Sequence, residues 1–224
     1  SSSTVTVGLL NALHRFAGRE VSAAQLADEA CRIEIDVLGQ PIGRQDQYAA
    51  AFGGINSISF TGEGVDVEPL DLSDDVLARL ESEFTLVFTG MSRRASSVLS
   101  ESPEDESDKL ARLRTIRTQA DEARAHLECG DLSGLGELLE VAWQAKRGIT
   151  ASVSNEELDA LHDRLLSLGA SGAKLLGAGG GGFFLVHGDT TLRERLTAEL
   201  GAEHRIIPLS VDFFGSRIIH DGSE

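Results

Sequence analysis

The chain has 224 residues, with 20 Lys and Arg against 36 Asp and Glu, a formal charge of −16. That excess argues against a nucleic-acid or anionic-membrane partner, and no apolar run reaches the ~20 residues needed to span a bilayer. Two cysteines, Cys31 and Cys129, cannot build a disulfide framework in a chain this long, so a reducing, cytoplasmic setting is expected.

Residues 1–13, SSSTVTVGLLNAL, read as a polar cluster entering an apolar helix, with Val5, Leu9, Leu10 and Leu13 at helical spacing. A chain that starts inside such an element is expected to be a fragment. A second helix opens on the capping box Ser22-x-x-Gln25, carries Leu26, Ala30, Ile33 and Val37 on its apolar face, and stops at Gly39 and Pro41. Glu34 and Cys31 lie at the edge of that face. A loop, PIGRQDQY, leads into small residues and Gly53-Gly54. Residues 55–60 and 65–67 alternate as strands. A short helix over 74–82 and a strand over 84–88 follow.

The stretch Glu101–Asp108 holds a proline and five carboxylates and marks a domain junction. Beyond it come a long amphipathic helix ending at Gly130, a second over 132–147 and a third from Ser154-x-x-Glu157 to Gly169. The remainder reads as a Gly-rich turn, strand 183–186, helix 192–200, and strands 205–207 and 217–220. The pattern is α+β with antiparallel pairing.

Four segments carry chemistry. Gly177–Gly182 satisfies G-x-G-x-x-G, but Phe183–Val186 follows as a strand, so a dinucleotide fold fails on context. Five glycines in six positions still favour a backbone that closely approaches a phosphate over a plain turn. Ser1-Ser2-Ser3-Thr4 before a helix suits an anion, or is simply an N-cap. Glu34 and Asp46 are acids that could take a proton from a hydroxyl or hold Mg²⁺; the plainer alternatives are a surface acid and a helix N-cap. Arg93 and Arg94 could grip an anionic substrate, or be solvated.

In this order the segments resemble the superfamily of galactokinase, homoserine, mevalonate and phosphomevalonate (GHMP) kinases. SSSTVTVGLLNAL is similar to the end of its motif P-x-x-x-G-L-G-S-S-[SA], and Lys174–Gly182, KLLGAGGGG, to its K-x-x-G-A-G-x-G-G. Within the superfamily, PIGRQDQYAAAFGGIN, LVFTGMSRRAS and FFGSRII resemble the bacterial D-glycero-D-manno-heptose 7-phosphate kinases. The resemblance implies a partial ribosomal S5 domain 2-like N-terminal domain over 1–100. A ferredoxin-like C-terminal domain over 101–224 would follow it. It implies transfer of the ATP γ-phosphoryl to the anomeric hydroxyl of a phosphorylated sugar, giving a heptose 1,7-bisphosphate. By motif match Ser1, Ser2, Ser3, Gly177, Gly179, Gly180 and Gly181 would bind ATP, and Ser2 and Glu34 would bind Mg²⁺. Asp46 would act on the attacking hydroxyl, and Arg93 and Gly54 would meet the sugar phosphate. A fucokinase-like enzyme and a non-catalytic binding protein of the same fold are the alternatives.

Overall fold

The structure is a computed structural model that describes residues 2–91, 106–147 and 153–220. The chain packs as two units, residues 1–70 with 211–224 and residues 71–210. By packing, residues 71–210 group together and the end of the chain returns to the first unit. The acidic stretch expected to mark the junction lies mostly outside the described residues.

The first unit contains α1 (Ser2–Phe16), α2 (Ala23–Cys31), α3 (Gln45–Phe52) and the antiparallel hairpin β1 (Asn56–Phe60) and β2 (Val65–Pro69). Ser22 caps α2 through the full reciprocal box with Gln25. Beyond Cys31 the helix widens into a π-helical segment, Arg32–Val37. Its core is built from Val7, Leu10, Leu26, Ala27, Ala30, Tyr48 and Ala51. Val5, Leu9, Leu13 and Phe16 of α1 are exposed instead, so that face of the helix is apolar and uncovered among the described residues.

The tail closes this unit without forming the strand expected over 217–220. Asn11 Nδ2 donates to the Ser216 carbonyl at 3.1 Å, and the Gly54 N–H to the Asp212 carbonyl at 2.7 Å. These contacts come from a helix and a turn, neither of which offers a ladder for a strand to extend. Gly53 (φ +66°) and Gly215 (φ +59°) meet backbone against backbone, where a Cβ on either would collide with the other segment.

The second unit contains α4 (Asp74–Glu83), β3 (Phe84–Phe88), α5 (Glu106–Cys129), α6 (Leu132–Arg147), α7 (Glu156–Ser167), β4 (Gly172–Leu175), β5 (Phe183–His187), α8 (Leu192–Leu200) and β6 (Ile206–Pro208). Its four strands run β4-β5-β3-β6, every neighbouring pair antiparallel. From β3 onward this is the split βαβ arrangement of a ferredoxin-like sheet, with α5–α7 in the first crossover and α8 in the second. Trp143, Leu158, Leu165, Phe184, Val186 and Leu196 fill its core. The α+β class and the antiparallel sheet match the sequence expectation.

Candidate active site

The site in the first unit follows from the change of helical pitch after Cys31. A regular helix would keep Ile33 and Val37 on the apolar face of Leu26 and Ala30. In the π-helical segment the Leu38 N–H instead reaches back five residues to the Ile33 carbonyl, at 2.9 Å. The added residue rotates the face, so Val37 is 67% exposed and Glu34 only 4%. Glu34 is therefore not at an edge but inside.

A buried carboxylate must be paid for in hydrogen bonds. Thr6 Oγ1 of α1 lies 3.2 Å from Glu34 Oε1, and Gln47 Nε2 of α3 donates to Glu34 Oε2 at 2.6 Å. The same Thr6 hydroxyl lies 3.3 Å from the Ser2 carbonyl. The first turn of α1, Glu34 and the first turn of α3 thus converge. Among the described residues no Lys, Arg or His pairs with Glu34, whose two recorded partners are neutral. Gln47 is fully buried, and its Oε1 has no partner among the described residues. An unbalanced carboxylate beside an orphaned amide oxygen is a hard, oxygen-only donor set of the kind a Mg²⁺ ion takes. Among the described residues no three His, Cys, Asp or Glu cluster to enclose a metal. That is compatible with Mg²⁺, which commonly takes one or two carboxylates and completes its shell with water and substrate phosphates.

Asp46 lies in the first turn of α3, after the N-cap Arg44; it is neither in a loop nor itself the cap. It is exposed, one residue from the buried Gln47. Tyr48 donates its hydroxyl to Asp28 Oδ1, locking α3 onto α2; burial, then Asp28, raises the phenol's pKa. Ser2 is exposed on the first turn of α1, and the side chain of Ser3 is buried at 3%. Gly54 adopts φ +71°, and its N–H is occupied by Asp212. Ser1, Arg93 and Arg94 lie outside the described residues.

In the second unit the glycine segment is the loop of the β4–β5 hairpin, closed at its base by the Leu176 N–H to the Phe183 carbonyl, 2.8 Å. Gly177, Gly179, Gly180, Gly181 and Gly182 all have positive φ. Glycine is obligatory at two of them on contact as well. A Cβ at Gly179 would sit 2.9 Å from Val153 Cα, and one at Gly181 2.8 Å from the Met91 carbonyl. The Gly180 N–H donates to the Val153 carbonyl, and that of Gly182 to Met91. Among the described residues the N–H groups of Gly177, Ala178, Gly179 and Gly181 make no such bond. Gly180, expected among the ligand contacts, is therefore used internally, while Ala178 joins the open donors. A run of free backbone N–H groups is an anion-binding concavity.

Thr6 and Gln47 did not stand out in the sequence. Their signal is a polar residue at a position the helical period buries: Gln47 sits beside Tyr48 and three and four residues before Ala50 and Ala51.

Comparison with known proteins adds to this geometry. The model of the GHMP kinases N terminal domain matches residues 1–54, and that of the GHMP kinases C terminal matches 120–204. A D-glycero-alpha-D-manno-heptose 7-phosphate kinase of Campylobacter jejuni is 32% identical over 205 residues, covering 90% of this chain and 60% of that protein. A mevalonate kinase of Methanothermobacter thermautotrophicus is 30% identical over 192 residues, covering 84% of the chain and 59% of that protein. The crystal structure of a protein described as a sugar kinase from Campylobacter jejuni superposes with a TM-score of 0.73 at 30% identity, covering 96% of this chain and 62% of that one. The chain thus spans about three fifths of the length of these relatives.

Proposed function

Because the chain belongs to the GHMP kinases, we propose that it is the greater part of an ATP-dependent sugar kinase acting on a heptose 7-phosphate, with the anomeric hydroxyl as acceptor. The observation that carries this reading is the buried Glu34 carboxylate, held by Thr6 and Gln47 beside the first turn of α1 and without a countercharge among the described residues. The heptose specificity rests on the Campylobacter jejuni relative, which is a heptose 7-phosphate kinase by description.

In this reading Ser1, Ser2 and Ser3 offer hydroxyls and helix N-terminal N–H groups to the ATP phosphates. Ser2 and Glu34 hold Mg²⁺, which when bound neutralises charge on the transferring phosphoryl oxygens. Asp46 orients the attacking hydroxyl and accepts its proton; the new bond joins that oxygen to the γ-phosphorus as the bridging bond to ADP breaks. The open N–H groups of Gly177, Ala178, Gly179 and Gly181 offer a second set of donors to phosphate. Arg93 pairs with the sugar phosphate, and Gly54 contributes by leaving room, since its N–H is already engaged. Two free cysteines, one buried and one exposed, support a cytoplasmic setting. No helix among the described residues is long and apolar enough to cross a membrane.

The test is ADP release with Mg²⁺-ATP across a panel of heptose 7-phosphate, fucose, galactose and mevalonate. Turnover greatest with heptose 7-phosphate and abolished in Asp46→Asn supports the assignment. Turnover greatest with fucose moves it to a fucokinase-like enzyme, and saturable binding without ADP release to a binding protein.

A further inference from the structure

Resting on the reading of the glycine loop as a phosphate site, we propose that Lys146 is its positioning residue: it grips the carbonyl ends of the loop's peptides so that their N–H ends stay open for phosphate. Lys146 stands in the last turn of α6, and its Nζ donates to the Leu175 carbonyl at 3.0 Å and the Gly177 carbonyl at 2.5 Å.

In a trans peptide the C=O and N–H point in opposite directions. The Leu175 carbonyl shares its plane with the Leu176 N–H, which already bonds Phe183; that peptide is held at both ends and anchors the hairpin. The Gly177 carbonyl shares its plane with the Ala178 N–H, one of the open donors. Among the described residues that second peptide is held through its oxygen by Lys146 and makes no bond through its N–H. Turning that peptide rotates ψ of Gly177, which carries no Cβ to resist it, together with φ of Ala178. The Lys146 contact holds the Gly177 oxygen against that turn, which would bring an oxygen toward an incoming phosphate.

The ammonium is spent on carbonyl oxygens alone: among the described residues no carboxylate pairs with Lys146 or with Lys174 of β4. Burial, and then the charge of Lys174, pushes the Lys146 pKa down to about 8, and burial lowers that of Lys174. The neighbouring Arg147 is occupied by Asp159 of α7 at 2.8 Å. Two neighbouring cations without a carboxylate partner among the described residues favour an anion at the loop.

The experiment follows the backbone amide signals of residues 177–181 by NMR in the whole 224-residue chain while inorganic pyrophosphate is added. In the wild type these signals are expected to shift saturably. Lys146→Met should bind at least tenfold more weakly, and Lys146→Arg should restore binding, because guanidinium keeps its charge and its donors. Raising the pH from 7 to 9 should weaken wild-type binding relative to Lys146→Arg. Wild-type loop signals that ignore pyrophosphate would overturn the phosphate reading and the proposal with it. Loop signals that respond in the wild type and equally in Lys146→Met would overturn the proposal alone. Should Lys146→Met fail to fold, the two pH profiles decide: parallel profiles overturn the role of Lys146, diverging ones support it.

Discussion

Gln47 Nε2 meets Glu34 Oε2 at 2.6 Å, and the other end of the same amide, Oε1, has no partner among the described residues. One side chain of α3 thus fixes one oxygen of the carboxylate and sets a second, unclaimed oxygen beside it. Both side chains are buried, so neither contact can be replaced by bulk water at no cost.

Replacing Gln47 tests that clasp. Gln47→Leu keeps the bulk and removes the donor, leaving Glu34 with Thr6 alone, and should lower the unfolding free energy in urea by about 1–3 kcal/mol. Gln47→Glu puts two carboxylates face to face. Its loss of stability should be larger at pH 7 than at pH 5, because protonating one acid relieves the repulsion.

Glu34→Gln separates stability from function. The variant keeps the shape and removes a buried charge that no cation pairs among the described residues, so its melting temperature should equal or exceed that of the wild type. The Mg²⁺ concentration for half-maximal ADP release should rise about tenfold or more, about 1.4 kcal/mol. A variant that melts far lower with unchanged Mg²⁺ dependence would make Glu34 a packing residue only.

The hooked tail is equally exposed to a single methyl group. Gly215→Ala forces a side chain into φ +59° and drives its Cβ against the Ala51 carbonyl. The strain of such a position is about 1–3 kcal/mol. Limited proteolysis should then cut at the exposed Phe213 and Phe214 faster than in the wild type, while the melting of residues 71–210 stays unchanged.

The two cysteines should react at very different rates. Cys31 is buried, and burial, only partly offset by Arg44, pushes its thiol up to about 11. At pH 8 about one molecule in a thousand carries that thiolate, which is the reactive form. Iodoacetamide should therefore label the exposed Cys129 first, with Cys31 slower by about a hundredfold or more, as read by peptide mass spectrometry. Raising the pH toward 11 should narrow the gap.

Much of the scaffold is legible in local signals. The Ser22–Gln25 capping box, the α4–β3 junction at Phe84 and the glycine loop before Phe183 each depend on residues within a few positions, and each forms as expected. What escapes is set by long-range packing. No periodicity announces that the helix widens at Arg32, yet that widening buries Glu34 and exposes Val37. Asp46 reads as a loop residue because Gly43 precedes it, although the burial of Gln47, Tyr48 and Ala51 extends α3 back over it. Residues 217–220 alternate like a strand, but the tail that carries them is hydrogen-bonded to a helix and a turn rather than to a strand. The carbonyl grip of Lys146 leaves no mark in sequence, since its partners are backbone atoms about 30 residues away.

The return of the tail to Gly53 also sets a timetable for synthesis. Residues 1–70 leave the ribosome before the second unit, but their last contacts wait for Asp212 and Gly215, about 140 residues later. At ~5–20 residues per second that is a delay of about 7–30 s. For that interval the early segment stands unlatched, with Val5, Leu9, Leu13 and Phe16 already on its surface. The intervening unit meanwhile contains its whole sheet and can mature on its own. A nascent chain stalled before residue 211 should therefore hold a finished second unit and an open first one, a state for chaperones to shelter.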